Sequence, residues 1–350
     1  MKIDNLQVKA KDALLECLQD IPFLEVNEVN LDPNLGDVRP DIRIALQLRE
    51  EIRFIIAEVK NNGEPRYARQ AVNQILRYRR ESQRYYGIFI APYISPRAAM
   101  ICRAEDIGYL DLAGNCHIAL DSIYIHKEGE PNPFTRKRYL RSLFSPKAER
   151  VLRALLTSGP KDWKVKELGV EAGVSLGQVA NVKKLLAEQE WIDSKPVGFS
   201  LSDPLSLLEE WSQNYNYRRN KAFNFYSMLG VTEFEYRFAE ICQREKIRYG
   251  LTGFSGSARY APAVRYQRVM AYVQDEIAEL TEALEIKPVD SGANVMFLQP
   301  YDEGVFYGTQ DREGSMVVSP IQIYLDLCSF RGRGEEAAQV LLDRVIQKSW

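Results

Sequence analysis

Asp41, Glu58 and Lys60 are the residues of this chain whose types and spacing come nearest to a reaction centre. Pro40-Asp41 leads into 42-IRIALQL-48, and Glu58-Val59-Lys60 closes 53-RFIIAEVK-60. Both stretches read as strands, because their apolar residues alternate or run through β-formers. Residues two apart on a strand share a face, so Glu58 and Lys60 point together. Asp41, at the start of the preceding strand, can approach them across a hairpin. Paired carboxylates suit a hard divalent cation such as Mg²⁺, or Mn²⁺ in its place, which takes oxygen ligands, keeps several waters and binds phosphate oxygens. A lysine beside such an ion can orient an attacking water and offset developing negative charge. That chemistry is phosphodiester cleavage. The competing reading is a salt bridge between Glu58 and Lys60 in a fold without turnover.

The helical segment 65–84 follows, with Gln74 and Tyr78 one turn apart on one face. Arg66, Arg69, Arg77, Arg79, Arg80 and Arg84 are interleaved there with Tyr67, Tyr78, Tyr85 and Tyr86. That composition suits phosphate contact and base stacking, or simply a solvated basic face. Cys116 and His117 are adjacent and so face opposite sides of a strand, which removes a cysteine–histidine nucleophile. With only His117 and His126 in the chain, a metal must sit on carboxylates. No organic cofactor is indicated.

The elements that must position these residues divide the chain into parts. Residues 1–130 open with an amphipathic helix carrying Leu6, Ala10, Ala13, Leu14 and Leu18 at helical spacing. After the two strands and the basic helix come a buried strand, 86-YGIFIAPY-93, a short helix after Ser95-Pro96, and two short strands in 108–120 around Gly114-Asn115. This order predicts a small α/β domain with a central mixed sheet. Asp111, Gly114 and Asn115 read as turn chemistry. A basic linker at 131–144 follows. From Arg136 to Arg153 there are seven basic residues against one acid, Glu149.

Residues 145–204 carry three helical patterns and a hairpin, which together predict a winged helix-turn-helix. Ser145-Pro146 caps a first helix with Val151, Leu152, Leu155 and Leu156 inward. A second helix ends at Gly173. A third opens on a Ser175-x-x-Gln178 capping box and buries Val179, Val182, Leu185 and Leu186. Its polar side offers Gln178 and Asn181 to base edges and Lys183 and Lys184 to phosphates, with Ser175 at its mouth and Arg136, Lys137, Arg138 and Arg141 on the linker. The expected partner is double-stranded DNA.

Residues 205–350 read as a further α/β domain. Helices are expected at 205–226, 232–246 and 334–347, and strands at 247–254, 268–273, 293–299 and 316–327. Eight acids against Lys287 between Met270 and Gly304 make this part a poor DNA surface, and its 275–285 helix is expected to lie against the basic 136–153 stretch. The motif 253-GFSGSA-258 resembles the Gly-Ser loop of nucleotidyltransferases, but 268-RVMAYVQDE-276 lacks the paired aspartates that resemblance requires. The turn Arg331-Gly-Arg-Gly is a plain strand–helix loop or an anion site at a helix N-terminus.

Composition bounds the class. The 350 residues, 45% hydrophobic and 27% charged with net charge −2, describe a multidomain α/β protein and exclude a uniformly basic packaging protein. The five cysteines show no paired spacing, and no apolar run is long enough to span a membrane. The expectation is a cytoplasmic protein with no membrane partner.

Two resemblances gather these motifs. Asp41, Glu58-Val59-Lys60, Gln74 and Tyr78 together resemble the PD-(D/E)xK nuclease superfamily, with the Gln-x-x-x-Tyr element similar to its RecB-type branch. That resemblance implies a restriction-endonuclease-like fold, Asp41, Glu58 and the Val59 carbonyl as metal ligands, Lys60 as catalytic lysine, and Gln74 and Tyr78 as positioning groups. Glu16 matches, loosely, an acidic position of some members. The whole chain resembles the AbiEi family of antitoxin-type transcriptional regulators of type IV toxin–antitoxin systems, in the longer subgroup with an extra N-terminal domain. The segments that carry this are 107-IGYLDLAGN-115, 145-SPKAERVLRALL-156, 174-VSLGQVANVKKLL-186, 292-GANVMFLQP-300, 321-IQIYLDL-327 and 331-RGRGEEAAQVLL-342. It implies a DNA-binding repressor, possible as a homodimer, whose partner is a nucleotidyltransferase-type toxin.

Overall fold

The computed structural model describes residues 3–19, 21–34, 39–82, 84–133, 143–274 and 277–350. The chain forms two compact units, Met1–Tyr139 with Ala187–Glu190, and Leu140–Leu186 with Trp191–Trp350. Arg136, Lys137, Arg138 and Arg141 lie outside the described residues, as do Asp275 and Glu276.

The first unit opens with helix α1 (Ile3–Gln19), whose Leu6, Ala10, Leu14 and Leu18 are buried, as the four-residue spacing predicts. Burying each leucine contributes roughly 1.5–3 kcal/mol, enough to hold a helix with little help from propensity. Strands β1 (Leu24–Leu31), β2 (Ile42–Leu48), β3 (Glu51–Val59), β4 (Tyr85–Ala91), β5 (Gly108–Asp111), β6 (Cys116–Leu120) and β7 (Ile123–Lys127) form one sheet in chain order. The β3–β4–β5 centre is parallel and the flanking pairs are antiparallel, which gives the mixed sheet expected from the sequence. Helices α2 (Pro65–Glu81) and α3 (Pro96–Ala104) make the two parallel crossovers.

Alternation along each strand feeds two cores. Ile55, Ala57, Ile88 and Ile90 pack with α1 on one face. Phe89 and Ala91 pack with Ala68, Ala71 and Ile75 of α2 and Ala98 and Cys102 of α3 on the other. Gly87 sets the height of α2 above the sheet, since a β-carbon there would stand 2.0 Å from Ile75 Cγ2. One turn further along α2 comes Tyr78.

The second unit begins with α4 (Pro146–Thr157), α5 (Val165–Glu171), α6 (Leu176–Glu188) and the hairpin β8 (Ile192–Lys195)–β9 (Gly198–Leu201). Val151, Leu152, Leu155, Leu156, Val179, Val182 and Leu186 are all buried. The hairpin is stitched down by paired backbone bonds between Trp163 and Phe199, at 2.7 and 3.0 Å. After α7 (Pro204–Asn214) comes a second mixed sheet built from β10 (Lys221–Tyr226), β11 (Tyr249–Leu251), β12 (Val269–Val273), β13 (Lys287–Pro288), β14 (Val295–Gln299), β15 (Gln310–Arg312) and β16 (Ser315–Val317). Its order is β13-β10-β14-β12-β11-β16-β15. Helices α8 (Val231–Glu245), α9 (Gly253–Ala258), α10 (Ile277–Ala283), α11 (Pro320–Cys328) and α12 (Arg333–Leu341) complete it.

Two expectations fail here. The helix read over 205–226 stops at Asn214, and Lys221–Tyr226 is strand β10 paired with β14. The strand read over 316–327 is a short β16 followed by helix α11. An unbroken apolar run does not separate a buried strand from a buried helix. The deciding signal was Ser319-Pro320: the Ser319 hydroxyl accepts the Gln322 N–H at 3.3 Å, and proline takes the first helical turn.

Candidate functional site

The first unit brings Asp41, Glu58, Lys60 and Tyr78 into one cluster at the carboxyl end of β3. The hairpin register pairs Ile42 with Ala57, which lays Asp41 beside the end of β3. Asp41 Oδ2 accepts the Val59 backbone N–H at 2.6 Å, and its Oδ1 accepts Gln7 Nε2 at 3.1 Å. Glu58 Oε2 takes Lys60 Nζ at 2.6 Å, and its Oε1 accepts the Tyr78 hydroxyl, also at 2.6 Å. Glu58 is 2% exposed while the Lys60 side chain is 22% exposed, so the lysine lies between the buried carboxylate and solvent. Burial pushes the Glu58 carboxyl above its ordinary range, and the charge of Asp41 adds to the rise; the bonds from Lys60 and Tyr78 oppose it. Burial, then the bond to Glu58, raises the Tyr78 phenol in turn.

Two expected members stand apart. Gln74 is half-buried one turn before Tyr78, and its side chain makes no hydrogen bond among the described residues. Glu16 is exposed and about 13 Å along α1 from Gln7, at 1.5 Å per residue, so the first helix meets the cluster with a neutral amide. Sequence reasoning missed Gln7, and also Asp32, whose Oδ1 accepts the same Gln7 nitrogen at 3.0 Å. The only signal was a polar residue next to Leu6 on the inward side of an amphipathic helix.

The donor set bears on a cation. Each of the four oxygens of Asp41 and Glu58 already accepts a hydrogen bond. No group of three or more His, Cys, Asp or Glu suited to a metal gathers among the described residues. Two carboxylates with their remaining lone pairs fit one hydrated divalent ion that keeps most of its waters, and do not fit an ion stripped of water.

The arginine-rich helix is less of a stacking platform than its composition suggests. Tyr78 is spent on Glu58, and Tyr86 accepts the Ala119 N–H at 2.8 Å. Tyr85 packs edge-on against Phe54 at 5.8 Å. Arg79 donates to the backbone oxygens of Glu105 and Asp106. Arg69 pairs with Glu190 at 2.7 Å, and Arg66, Arg77, Arg80 and Arg84 remain exposed. Asp111 accepts four bonds, from the N–H groups of Ile94, Ala113 and Asn115 and from the Asn115 amide, which is the turn chemistry expected of it.

The second unit presents the face of α6. The Ser175 hydroxyl accepts the Gln178 N–H at 3.3 Å and caps the helix. Ser175, Asn181 and Lys184 are exposed and Gln178 is half-exposed, opposite the buried Val179, Val182 and Leu186. Lys183 instead lies over the Phe199 ring of the hairpin, 5.1 Å from its centroid. An open hollow of 720 Å³ at the α5–α6 turn is lined by Lys147, Lys166, Gly173, Ser175 and Gln178 among others, with no acidic side chain. Lys147, Lys166 and Lys184 have no ion-pair partner among the described residues.

Two residues of the basic run are corrected by their surroundings. Arg153 is fully buried and donates to Gln322 Oε1 at 3.1 and 2.7 Å. Arg150 grips Asp302 through two bonds of 2.8 and 2.9 Å and reaches Glu303 at 2.9 Å. The acids that meet this helix are therefore Asp302 and Glu303; Glu285 pairs with Arg237 at 3.5 Å instead. Strand β12, Val269-Met270-Ala271-Tyr272-Val273, carries no acid, so it does not supply the paired aspartates that the transferase resemblance requires. Asp326, which sequence reading left among the core residues of a strand, is wholly buried and accepts from Tyr215, Tyr272, Thr252 and Gln322 at 2.7, 2.9, 2.5 and 3.2 Å.

Comparison with known proteins gives the following. Residues 200–347 match the model of a family described as transcriptional regulator, AbiEi antitoxin, type IV TA system. No curated protein matches the chain. Among solved structures, EndoMS in its apo form aligns at 16% identity and a TM-score of 0.23, over 30% of this chain and 45% of its own. EndoMS in a complex with dsDNA aligns at 16% identity and 0.22, over 30% of this chain and 44% of its own. The chain thus spans less than half of the EndoMS length, and scores this low fix no shared fold. No helix among the described residues is long and apolar enough to cross a membrane.

Proposed function

We propose that this chain is a DNA-binding transcriptional regulator of the antitoxin type, in which residues 145–204 act as a winged helix-turn-helix. The observation that carries the reading is the face of α6: a serine-capped helix whose polar side holds Gln178, Asn181 and Lys184 outward, beside a hollow with Lys147 and Lys166 and without acids. Gln178 and Asn181 are one turn apart and suit base edges in a major groove. Lys184, with Arg136, Lys137, Arg138 and Arg141 of the linker, supplies phosphate contacts. The family match over 200–347, which begins within the last strand of this segment, supports the regulatory role and a toxin partner, here read as a nucleotidyltransferase-type protein. A homodimer binding a two-fold operator in the cytoplasm completes the proposal.

The test is binding to the promoter of its own gene and to random DNA by the full-length protein. Gln178→Ala with Asn181→Ala should cost about 2–6 kcal/mol on the specific site, at roughly 1–3 per base-reading pair, and leave the salt-dependent random affinity nearly unchanged. Equal loss on both DNAs removes this helix as the reader.

A second reading has its own observation, the convergence of Asp41, Glu58, Lys60 and Tyr78. In it the first unit is a restriction-endonuclease-like domain with a PD-(D/E)xK site. Asp41, Glu58 and the Val59 carbonyl would hold Mg²⁺ or Mn²⁺, which supplies Lewis-acid stabilisation of a phosphodiester, with Lys60 beside the reacting group and Tyr78 orienting Glu58. Plasmid DNA incubated with each cation, using native protein and Lys60→Ala together, separates the readings. Metal-dependent cleavage that Lys60→Ala abolishes supports the nuclease. Intact DNA in every lane leaves the cluster a structural or binding element. We rank regulation first, because a regulator that cut its own operator would damage the chromosome that carries it.

A further inference from the structure

Two motifs that DNA binding does not use meet in the second unit. Phe254 of helix α9 and the Arg331-Gly-Arg-Gly turn line one hollow of 570 Å³, together with the segment 265–268 that leads into β12 and the Gly292–Asn294 loop before β14. The volume is that of a pocket for a small organic ligand. Four arginines line it, Arg265, Arg268, Arg331 and Arg333, and no aspartate or glutamate does. None of the four has an ion-pair partner among the described residues.

Two of these cations are held in place by backbone. Arg268 Nε donates to the Ala293 oxygen at 3.1 Å, and Arg333 donates to the Arg265 oxygen. Gly332, at φ +73°, takes a backbone conformation that glycine enters without strain, and it turns the chain so that Arg331 and Arg333 flank the start of α12. The nearest acid of that turn, Glu335, is folded back onto the Gly332 N–H at 3.1 Å. Aromatic surface completes the hollow. Phe330 lies 6.2 Å from Phe254 and 5.1 Å from Tyr217, and the Tyr266 ring is pinned by its hydroxyl on Glu235 at 3.0 Å.

Unpaired guanidinium groups with no competing carboxylate call for an anion with several acceptor oxygens, since Arg recognises phosphate by paired donors. Aromatic faces next to them call for a planar group that stacks. We propose that this hollow binds a free nucleoside polyphosphate, with the base against Phe254 and Phe330 and the phosphates on Arg331 and Arg333. A small ligand fits better than a strand of nucleic acid, because the acid-rich remainder of this part repels a long polyanion.

The experiment is calorimetric titration of the full-length protein with ATP and GTP, pyrophosphate, and a 5′-phosphorylated oligonucleotide, repeated on Arg331→Ala with Arg333→Ala. Both arginines are exposed, so the double variant should melt as the native protein does; if it does not, Arg331→Gln alone carries the same comparison. The expected result is saturable binding of one nucleoside triphosphate, at least tenfold tighter than pyrophosphate and tenfold weaker in the variant. No saturable binding, or equal affinity in native and variant protein, overturns the site. Pyrophosphate binding as tightly as the nucleotides overturns the stacking role of the rings, and binding of the oligonucleotide alone overturns a free nucleotide as ligand.

Discussion

Glu58 in the first unit and Asp326 in the second are both carboxyl groups that burial pushes above the ordinary carboxylate range. Their partners differ in kind. Asp326 is enclosed by neutral donors, three hydroxyls and an amide, and the amide's own oxygen is taken by the buried Arg153. Glu58 is bonded to an amine and a phenol, has a second carboxylate close enough to raise its proton affinity, and is reached from solvent along Lys60. A sealed, fully satisfied acid stabilises one arrangement of the chain. An acid with a cation, a second acid and an open side can exchange a proton, a metal or a phosphate. Burial and a displaced proton affinity are common to both, so these alone do not mark a functional site.

The largest effect should come from the sealed acid. Asp326→Ala takes the shared carboxylate acceptor from the hydroxyls of Tyr215, Tyr272 and Thr252, while the Gln322 amide keeps its bonds to the two tyrosine oxygens, at a cost of about 3–5 kcal/mol. All four tryptophans, Trp163, Trp191, Trp211 and Trp350, belong to the second unit, so tryptophan emission in a urea titration reports its unfolding alone. A midpoint unchanged by Asp326→Ala would show that the network adds no stability and that the contrast with Glu58 is false.

Tyr78→Phe probes the open cluster by removing one neutral donor from Glu58, together with the longer 3.3 Å contact of the same hydroxyl to the Arg39 backbone oxygen. The loss of a hydrogen bond to a charged group is about 1.5–3 kcal/mol, and hydrogen exchange in β3 and β4 of the first unit should report it. A cost as large as that of Asp326→Ala would make Glu58 structural as well. Gln7→Glu asks a smaller question. It places a third acid between Asp32 and Asp41, which should destabilise the unit by about 1 kcal/mol in chelator and increase any stabilisation by Mg²⁺. No difference between chelator and Mg²⁺ would show that the cluster does not recruit a cation.

The two regions were not equally legible in the sequence. Glu58 and Lys60 were readable because strand periodicity is local, and Asp41 because a hairpin is the shortest connection that could bring it near. Tyr78 followed from one helical turn, but the same rule placed Gln74 in the cluster, and the structure leaves Gln74 unbonded. Position on a helix face does not decide which residue a sheet beneath will meet; the close approach at Gly87 does. Gln7 could not be paired with Asp32 and Asp41 without knowing how α1 crosses the sheet. Asp326 was invisible for a different reason. Its partners Tyr215, Thr252 and Tyr272 are 54 to 111 residues away, and its own segment was taken for a strand. Cys17 and Cys116 show the same limit: 99 residues separate them in sequence, and 3.9 Å separate their sulfurs.

The finest distinction between the two acids is in pH. Because Glu58 holds its proton more tightly folded than unfolded, its contribution is fully present below the unfolded carboxylate value and is lost as pH rises through the folded one. Lowering the pH from neutral should therefore stabilise the native protein relative to Glu58→Gln, which has no proton to take up there. One proton limits the slope to about 1.4 kcal/mol per pH unit. The measurement is the difference in first-unit stability between the two proteins at several values from pH 7.5 down to 4.5. A difference that moves the other way, with native protein gaining as pH rises, would mean that the ion pair with Lys60 outweighs burial. Glu58 would then be a charge held in place for the fold, and the openness of its surroundings would carry no chemistry.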